Sequence, residues 1–262
     1  MTQKYFVRGE TMELQLIRSA TVRLSFGNHT FLIDPYLADR FSRPSYAGIS
    51  KNPLVELPFS VSEILAGIET VLVSHRHSDH FDPAAQSAIP KEMPLICQAE
   101  DESEIRKLGF ENIHPISRKL HWKGIDIQRV IGKHGSGAVL DEMGIASGFF
   151  FEAANEPTVY WAGDTLLCDE VTEILIGKRP MVVITHSCGA VWGDRVKILM
   201  DEEQTIKVCN LLPESIIIAT HMDSVDHATI SRKILREYAR NNGIQEEQLL
   251  IPMDGDIISV SL

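Results

Sequence analysis

Residues 70–74, Thr-Val-Leu-Val-Ser, run straight into His75-Arg76-His77-Ser78-Asp79-His80. The first stretch is short, apolar and rich in valine, the pattern of a buried strand. The second places four potential metal ligands within six residues. A chain with this junction must bury a strand and hold His75, His77, Asp79 and His80 at its end. Imidazoles beside a carboxylate suit a borderline or hard cation, zinc first among them. By itself the cluster leaves one ion or two open, and the missing ligands have to come from elsewhere.

The rest of the chain reads as strands followed by strand–helix units, twice over. Residues 13–17 and 20–26 alternate apolar and polar side chains as strands do. Gly27-Asn28-His29 reads as a turn with His29 exposed, and Thr30–Ile33 returns as a strand that stops at Asp34. Residues 36–62 are interrupted by Pro44, Pro53 and Pro58 and show no period, and loops of that length often line binding sites. Helices are expected at 60–66, with Ser60 and Glu63 as a capping box, and at 83–88 behind Asp82. Further helices are expected at 101–108, 169–175, 201–211 and 229–240. Strands are expected at 94–97, 113–116, 125–131, 145–152, 157–161, 181–185, 215–220, 249–252 and 257–260. No linker or low-complexity stretch divides the chain. Residues 1–262 are therefore expected to form one α/β domain, with two β-layers inside and helices outside.

A chain of 262 residues has ample material for a core. Its 25 Lys and Arg against 36 Asp and Glu leave a net charge of -11. Non-specific nucleic-acid binders neutralise phosphates with surplus cations, so this balance argues against one, while a nuclease with a local basic groove stays open. No signal peptide and no stretch near membrane-spanning length is visible. Cys97, Cys168, Cys188 and Cys209 are widely spaced, the pattern of free thiols in a reducing cytoplasm.

Ligand-type side chains recur at or just beyond other predicted strand ends. His134 lies in Gly132-Lys133-His134-Gly135, Asp164 in Gly163-Asp164-Thr165, and His221 follows 215–220. Asp34 is either a turn residue or an acid that orients a ligating histidine. On these residues the chain resembles the metallo-β-lactamase-fold hydrolases along nearly its whole length. His75, His77, Asp79 and His80 resemble the signature motif of that superfamily, His134 its third histidine, Asp164 its bridging acid and His221 its last histidine. Leu57-Pro58-Phe59-Ser60 and Tyr160–Thr165 look like the branch that includes ascorbate-6-phosphate lactonase and uncharacterised bacterial relatives. The long insertion of the RNA-processing branch is missing, and His77 stands where the flavodiiron branch has Glu.

The resemblance implies a four-layer αβ/βα sandwich of the metallo-β-lactamase type. It implies one metal ion on His75, His77 and His134, a second on Asp79, His80 and His221, and Asp164 bridging them. It also implies a catalytic hydroxide between the two ions, with Asp79 helping to orient it. Zinc is the default for such a site, and manganese and iron also accept mixed nitrogen and oxygen ligands. The expected activity is metal-dependent hydrolysis of a small molecule, either a lactone, an ester or a phosphoester. A phosphodiesterase or nuclease on the same fold is the alternative, and a non-catalytic metal-binding protein a weaker one.

The partner expected is a small-molecule substrate, with no membrane and no large nucleic acid, and a homo-oligomer is left open. Arg40, Arg43, Lys51 and Arg195 are candidates to meet an anionic group. His186, beside Ser187 and Cys188, and His227, after Asp226, are candidates to contact substrate or to orient a ligand, with a surface or capping histidine as the alternative for each. No acid partner that would make Cys188 a nucleophile is evident. His114 and His121 lack companion ligands and are expected to be structural or exposed.

Overall fold

A computed structural model describes residues 4–5 and 11–262. In chain order the first strands are β1 (Lys4–Tyr5), β2 (Thr11–Arg18), β3 (Thr21–Phe26), β4 (His29–Ile33), β5 (Thr70–Val73), β6 (Leu95–Gln98) and β7 (Ile113–Ile116). There follow β8 (Lys119–Trp122), β9 (Ile125–Ile131), β10 (Ser147–Glu152), β11 (Val159–Trp161) and β12 (Val182–His186). The last are β13 (Val191–Trp192), β14 (Val196–Lys197), β15 (Ile216–Thr220), β16 (Leu249–Leu250) and β17 (Ile257–Ser261). The α-helices are α1 (Val61–Leu65), α2 (Pro83–Ala88), α3 (Glu102–Lys107), α4 (Ala138–Met143), α5 (Asp169–Lys178), α6 (Glu202–Leu211) and α7 (Arg232–Asn241).

One sheet has the order β1-β17-β2-β3-β4-β5-β6-β7 and the other β16-β15-β12-β11-β10-β9-β8. In the first, β2, β3 and β4 form an antiparallel meander, and β5, β6 and β7 extend it in parallel. In the second, β8 to β11 form the meander, and β12, β15 and β16 extend it in parallel. The repetition seen in the sequence is thus a repetition of topology. Parallel extension needs crossover helices, and these cover the outer faces.

Alternation along each strand sorts side chains between layers. In β4 and β5, Phe31, Ile33 and Leu72 join the layer between the sheets, while Leu32, Val71 and Val73 join the outer layer with Ile64, Ala85 and Ile105 of α1, α2 and α3. In β12 and β15, Ile184 and Ile218 point between the sheets, while Val183 and Ala219 join Leu175, Val208 and Leu235 of α5, α6 and α7. Phe151 bridges the sheets, edge-on to Phe26 and Phe31 at centroid distances of 6.0 and 5.9 Å. The result is the expected four-layer αβ/βα sandwich. Among the described residues no helix is long and apolar enough to cross a membrane, and the four cysteines are free.

The local signals hold where capping chemistry specifies a terminus. Ser60 and Glu63 form the reciprocal capping box of α1, Asp82 caps α2 with Pro83 behind it, and Asp201 caps α6. Helix α7 starts at Arg232 rather than 229, because Ser231 supplies the cap. Strand β8, helix α4 and the hairpin β13–β14 are absent from the sequence reading, all three being too short to show a period.

His29 corrects an expectation. Gly27 and Asn28 both take positive φ and complete a two-residue turn by themselves. His29 is therefore the first residue of β4, buried, with Nε2 2.8 Å from Thr70 Oγ1. His121 is exposed beside Asp126, and His114 packs on Trp122.

Irregular residues 36–62 need another source of order, and buried Arg18 at the end of β2 supplies it. Its guanidinium donates to the carbonyls of Tyr36 and Ala38, both at 2.8 Å, and to Val55 at 3.1 Å. The charge stands in for a strand partner. Arg18→Met keeps the stem and removes these donors, leaving carbonyls dry and unpaired. We expect a loss of about 3 kcal/mol or more in denaturant unfolding, with new proteolytic cleavage within 36–55.

Candidate metal centre

The sandwich brings the strand ends of both halves together at one edge. His75 follows β5, His134 follows β9, Asp164 follows β11, His186 ends β12 and His221 follows β15. Two quartets result, each with ligand atoms within 4.8 Å of one another: His75, His77, His134 and Asp164, and His80, His186, His221 and Asp164. Asp164 belongs to both. Its Oδ2 lies 3.1 Å from His80 Nε2, 3.4 Å from His134 Nε2 and 3.7 Å from His75 Nε2. Its Oδ1 accepts from His186 Nδ1 at 2.5 Å.

Small residues let the carboxylate arrive there. Gly163 has φ +67, and a Cβ on it would meet the Ser147 carbonyl oxygen at 2.6 Å. A Cβ on Gly132 would meet Thr165 at the same distance. Thr165 Oγ1 accepts from the Lys133 amide at 2.9 Å, tying the Asp164 turn to the His134 turn.

Hydrogen bonds fix which ring nitrogens face inward. Asp34 Oδ2 accepts from His80 Nδ1 at 2.9 Å and from the Ser74 hydroxyl at 2.6 Å. That hydroxyl has spent its proton on Asp34, so it accepts from His75 Nδ1 at 3.0 Å. His134 Nδ1 donates to the Ile198 carbonyl at 2.9 Å. In all three rings Nε2 is left towards Asp164. Asp34 is thus the acid that orients two of the rings, the second of the two readings the sequence allowed. Its φ of 47° and that of His221, 62°, are unfavourable for side chains with a Cβ. The Ser74 amide donates to Asp34 Oδ1 at 2.7 Å, and the His221 amide donates to the Ser19 carbonyl at 2.9 Å.

The donor set fits a cation. Ring nitrogens crowd together in the first quartet, with His75 Nε2 2.9 Å and His134 Nε2 3.3 Å from His77 Nδ1. His186 Nε2 is buried without a hydrogen-bond partner. Burial pushes the His134 imidazole down to about 4, against the pull of Asp164, so at neutral pH it is the uncharged form that binds metals. Burial also opposes charge on His80, but Asp164 and Asp34 outweigh it and hold the ring up at about 10. The same acids that favour a proton there favour a metal ion in its place.

His186, read as a residue without a convincing acid partner, has one in Asp164 and completes the second quartet. Asp79 stands at that quartet's edge, with Oδ2 3.5 Å from His221 Nε2. Above the quartets opens a cavity of about 300 Å³, walled by Tyr46, Met143, Trp192, Ile198 and His227, with Asp79 and Ser78 at its floor. Sequence reasoning missed Ser74, Tyr46 and Trp192, though Trp192 between the glycines at 189 and 193 was a visible signal. None of Arg40, Arg43, Lys51 and Arg195 lines this cavity, so the basic residues singled out in the sequence do not meet here.

Asp34→Ala would release both His75 and His80 from their orientation without removing any ligand. We expect metal affinity to fall by about 10- to 100-fold in chelator competition, with circular dichroism little changed.

Comparison with known proteins agrees with this geometry. Residues 29–222 match the family model described as a beta-lactamase superfamily domain. The UPF0173 protein YddR of Bacillus subtilis is 32% identical over 251 residues, which cover 94% of this chain and 98% of that one. Among solved structures, an isothiocyanate hydrolase from Delia radicum gut bacteria superposes with a TM-score of 0.92 at 36% identity, covering 96% of this chain and 100% of the other. A possible metal-dependent hydrolase from Veillonella parvula does so with a TM-score of 0.91 at 35% identity and the same coverage. With a metal-competent cluster of six histidines and one shared acid at the mouth of this sandwich, the chain belongs to the beta-lactamase superfamily, as a metal-dependent hydrolase of the UPF0173 family.

Proposed function

We propose that this hydrolase acts on a small, uncharged carbon electrophile, with isothiocyanates as the leading class and esters or lactones next. The observation that carries the reading is the cavity over the quartets. Its walls are aromatic and aliphatic, and its lining contains no Lys or Arg. A phosphoester would bring negative charge into a space whose charged rim residue is Glu142. Phosphate recognition ordinarily recruits Arg, Lys or a helix N-terminus. The isothiocyanate hydrolase at 36% identity supports the same choice.

Two ions are proposed, one on His75, His77 and His134 and one on His80 and His221 with His186 or Asp79, sharing Asp164. When bound, such ions lower the pKa of water towards neutrality and polarise the bond under attack. The chain's own residues do the rest. Asp79, on the cavity floor, takes up the proton released as water's oxygen bonds to the central carbon of R–N=C=S. That proton passes to nitrogen as the C=N π bond opens, giving a thiocarbamic acid, which loses carbonyl sulfide to leave the amine. Met143, Trp192 and Ile198 keep bulk water from the electrophile. His227 is buried, lines the cavity and has an Nδ1 without a partner, so it is the side chain available to hydrogen-bond the substrate.

Metal-reconstituted protein should contain two transition-metal ions per chain by elemental analysis, and saturation at one would defeat the shared-acid arrangement. It should turn over alkyl isothiocyanates and not matched phosphomonoesters or phosphodiesters; turnover of phosphoesters alone would overturn the substrate class. Asp164→Asn keeps the shape and loses the anion. We expect it to retain at most one ion and to lose on the order of 10³-fold in turnover, the scale of a lost transition-state contact. Near-normal metal content and turnover would sink the role assigned to Asp164.

A further inference from the structure

On the far side of Tyr46 and Trp192 lies a second groove, of about 480 Å³. Tyr46, Trp192 and His227 line both spaces, so the two adjoin across a partition of three rings. Beyond it the groove is bounded by Ala47, Ile49, Val191 and Ala228, with Thr229 and Asp226 among its polar residues, and its cation, Arg195, is exposed. Ile49 is 78% exposed, an apolar side chain left at the rim.

The partition is held from below by one carboxylate. Asp226, 6% exposed, accepts from six groups of the segment 45–52: the Ser45 hydroxyl, the amides of Tyr46, Ala47, Ile49 and Ser50, and Asn52 Nδ2. The Asp226 amide returns a bond to Asn52 Oδ1 at 2.9 Å. Burial opposes ionisation of Asp226, but these donors outweigh it and hold the carboxyl well below the usual range. So anchored, Tyr46 packs edge-on against His227 at 5.0 Å, and its hydroxyl reaches Ser78, inside the metal-binding motif, at 2.7 Å. A carboxylate that wraps eight residues around itself sets where the partition stands.

We infer that this groove is a subsite for the hydrocarbon tail of the substrate, and that Asp226 is the positioning residue that keeps it open. The inference rests on the proposed reaction of a small carbon electrophile. The head group sits over the quartets, and its substituent passes the ring partition into the space bounded by Ala47, Ile49, Val191 and Ala228. Selectivity for tail length is then set by a loop far in sequence from every metal ligand.

Two ligand series separate the subsite from the reaction. The first is kcat/KM for n-alkyl isothiocyanates from methyl to hexyl. The second is calorimetric binding of n-alkanethiols from ethane- to octanethiol to the metal-reconstituted protein, which needs a metal for the head group but no turnover. Each added methylene should raise either quantity by about three- to fourfold until the groove is filled. Ala47→Phe projects a ring into the groove from an exposed position and should flatten the slope with tail length. Asp226→Asn should flatten it too, and Ser45→Ala, which removes one bond to the same carboxylate, should do so in smaller measure if Asp226→Asn fails to fold. A thiol slope without isothiocyanate turnover would refute the proposed reaction and leave the subsite standing. Absence of a slope in both series, or a slope unchanged in Ala47→Phe, would overturn the subsite. An unchanged slope in folded Asp226→Asn, or in Ser45→Ala where Asp226→Asn does not fold, would overturn the role of Asp226.

Discussion

A carboxylate cannot be dried without compensation, and Asp164 is 3% exposed at the mouth of the sandwich. Isolated in so dry a place, its charge would cost far more than any single packing contact returns. Everything around it answers that cost. His80, His134 and His75 turn Nε2 towards one oxygen, and His186 donates to the other. The rings in turn crowd one another, His75 and His80 at a centroid distance of 4.2 Å. His80, held towards its charged form by Asp164 and Asp34, meets part of that cost, while burial favours the neutral form of His134. The same donor sets could hold a metal ion, and a cation bound to them would stabilise the folded state.

That arrangement survives because a few bonds hold unfavourable backbone in place. Asp34 and His221 take left-handed conformations, as does Ser19, whose carbonyl receives the His221 amide. Such positions persist where the surroundings over-determine them. Here the surroundings are the sheets themselves, since β4 and β5 run parallel, as do β11, β12 and β15, so that their carboxyl ends gather at one edge.

The rim of the site depends on charge of another kind. Residues 36–62 have little regular structure to satisfy their backbone, yet a buried backbone group must find a partner. Arg18 offers donors to the carbonyls at 36, 38 and 55, and Asp226 offers acceptors to the amides of 46, 47, 49 and 50. One side chain of each sign therefore does for this loop what a neighbouring strand does in a sheet. The aromatic wall of the cavity follows from it, since Tyr46 comes from this loop, Trp192 from the short hairpin and His227 from the segment before α7.

The amino-acid sequence alone determined the longer strands, several caps and most of the candidate ligands, because each is written locally. Alternation showed β2 and β3, the capping residues showed α1 and α2, and the spacing of His75, His77, Asp79 and His80 pointed to a metal site before any fold was in view. His134, Asp164 and His221 were legible as strand-end residues, and the family resemblance supplied their order. Tertiary structure decided what local rules do not reach. His186 meets Asp164 across 22 residues, and Asp226 meets Asn52 across 174, so neither pairing leaves a periodic trace. His29 changed from turn to core because its neighbours completed the turn without it. The cavity walls were invisible for the same reason. Each wall residue looks like an ordinary aromatic or aliphatic side chain until the sheets bring three distant segments to one edge, and only that closure sets which charges face the substrate and which are spent holding the loop.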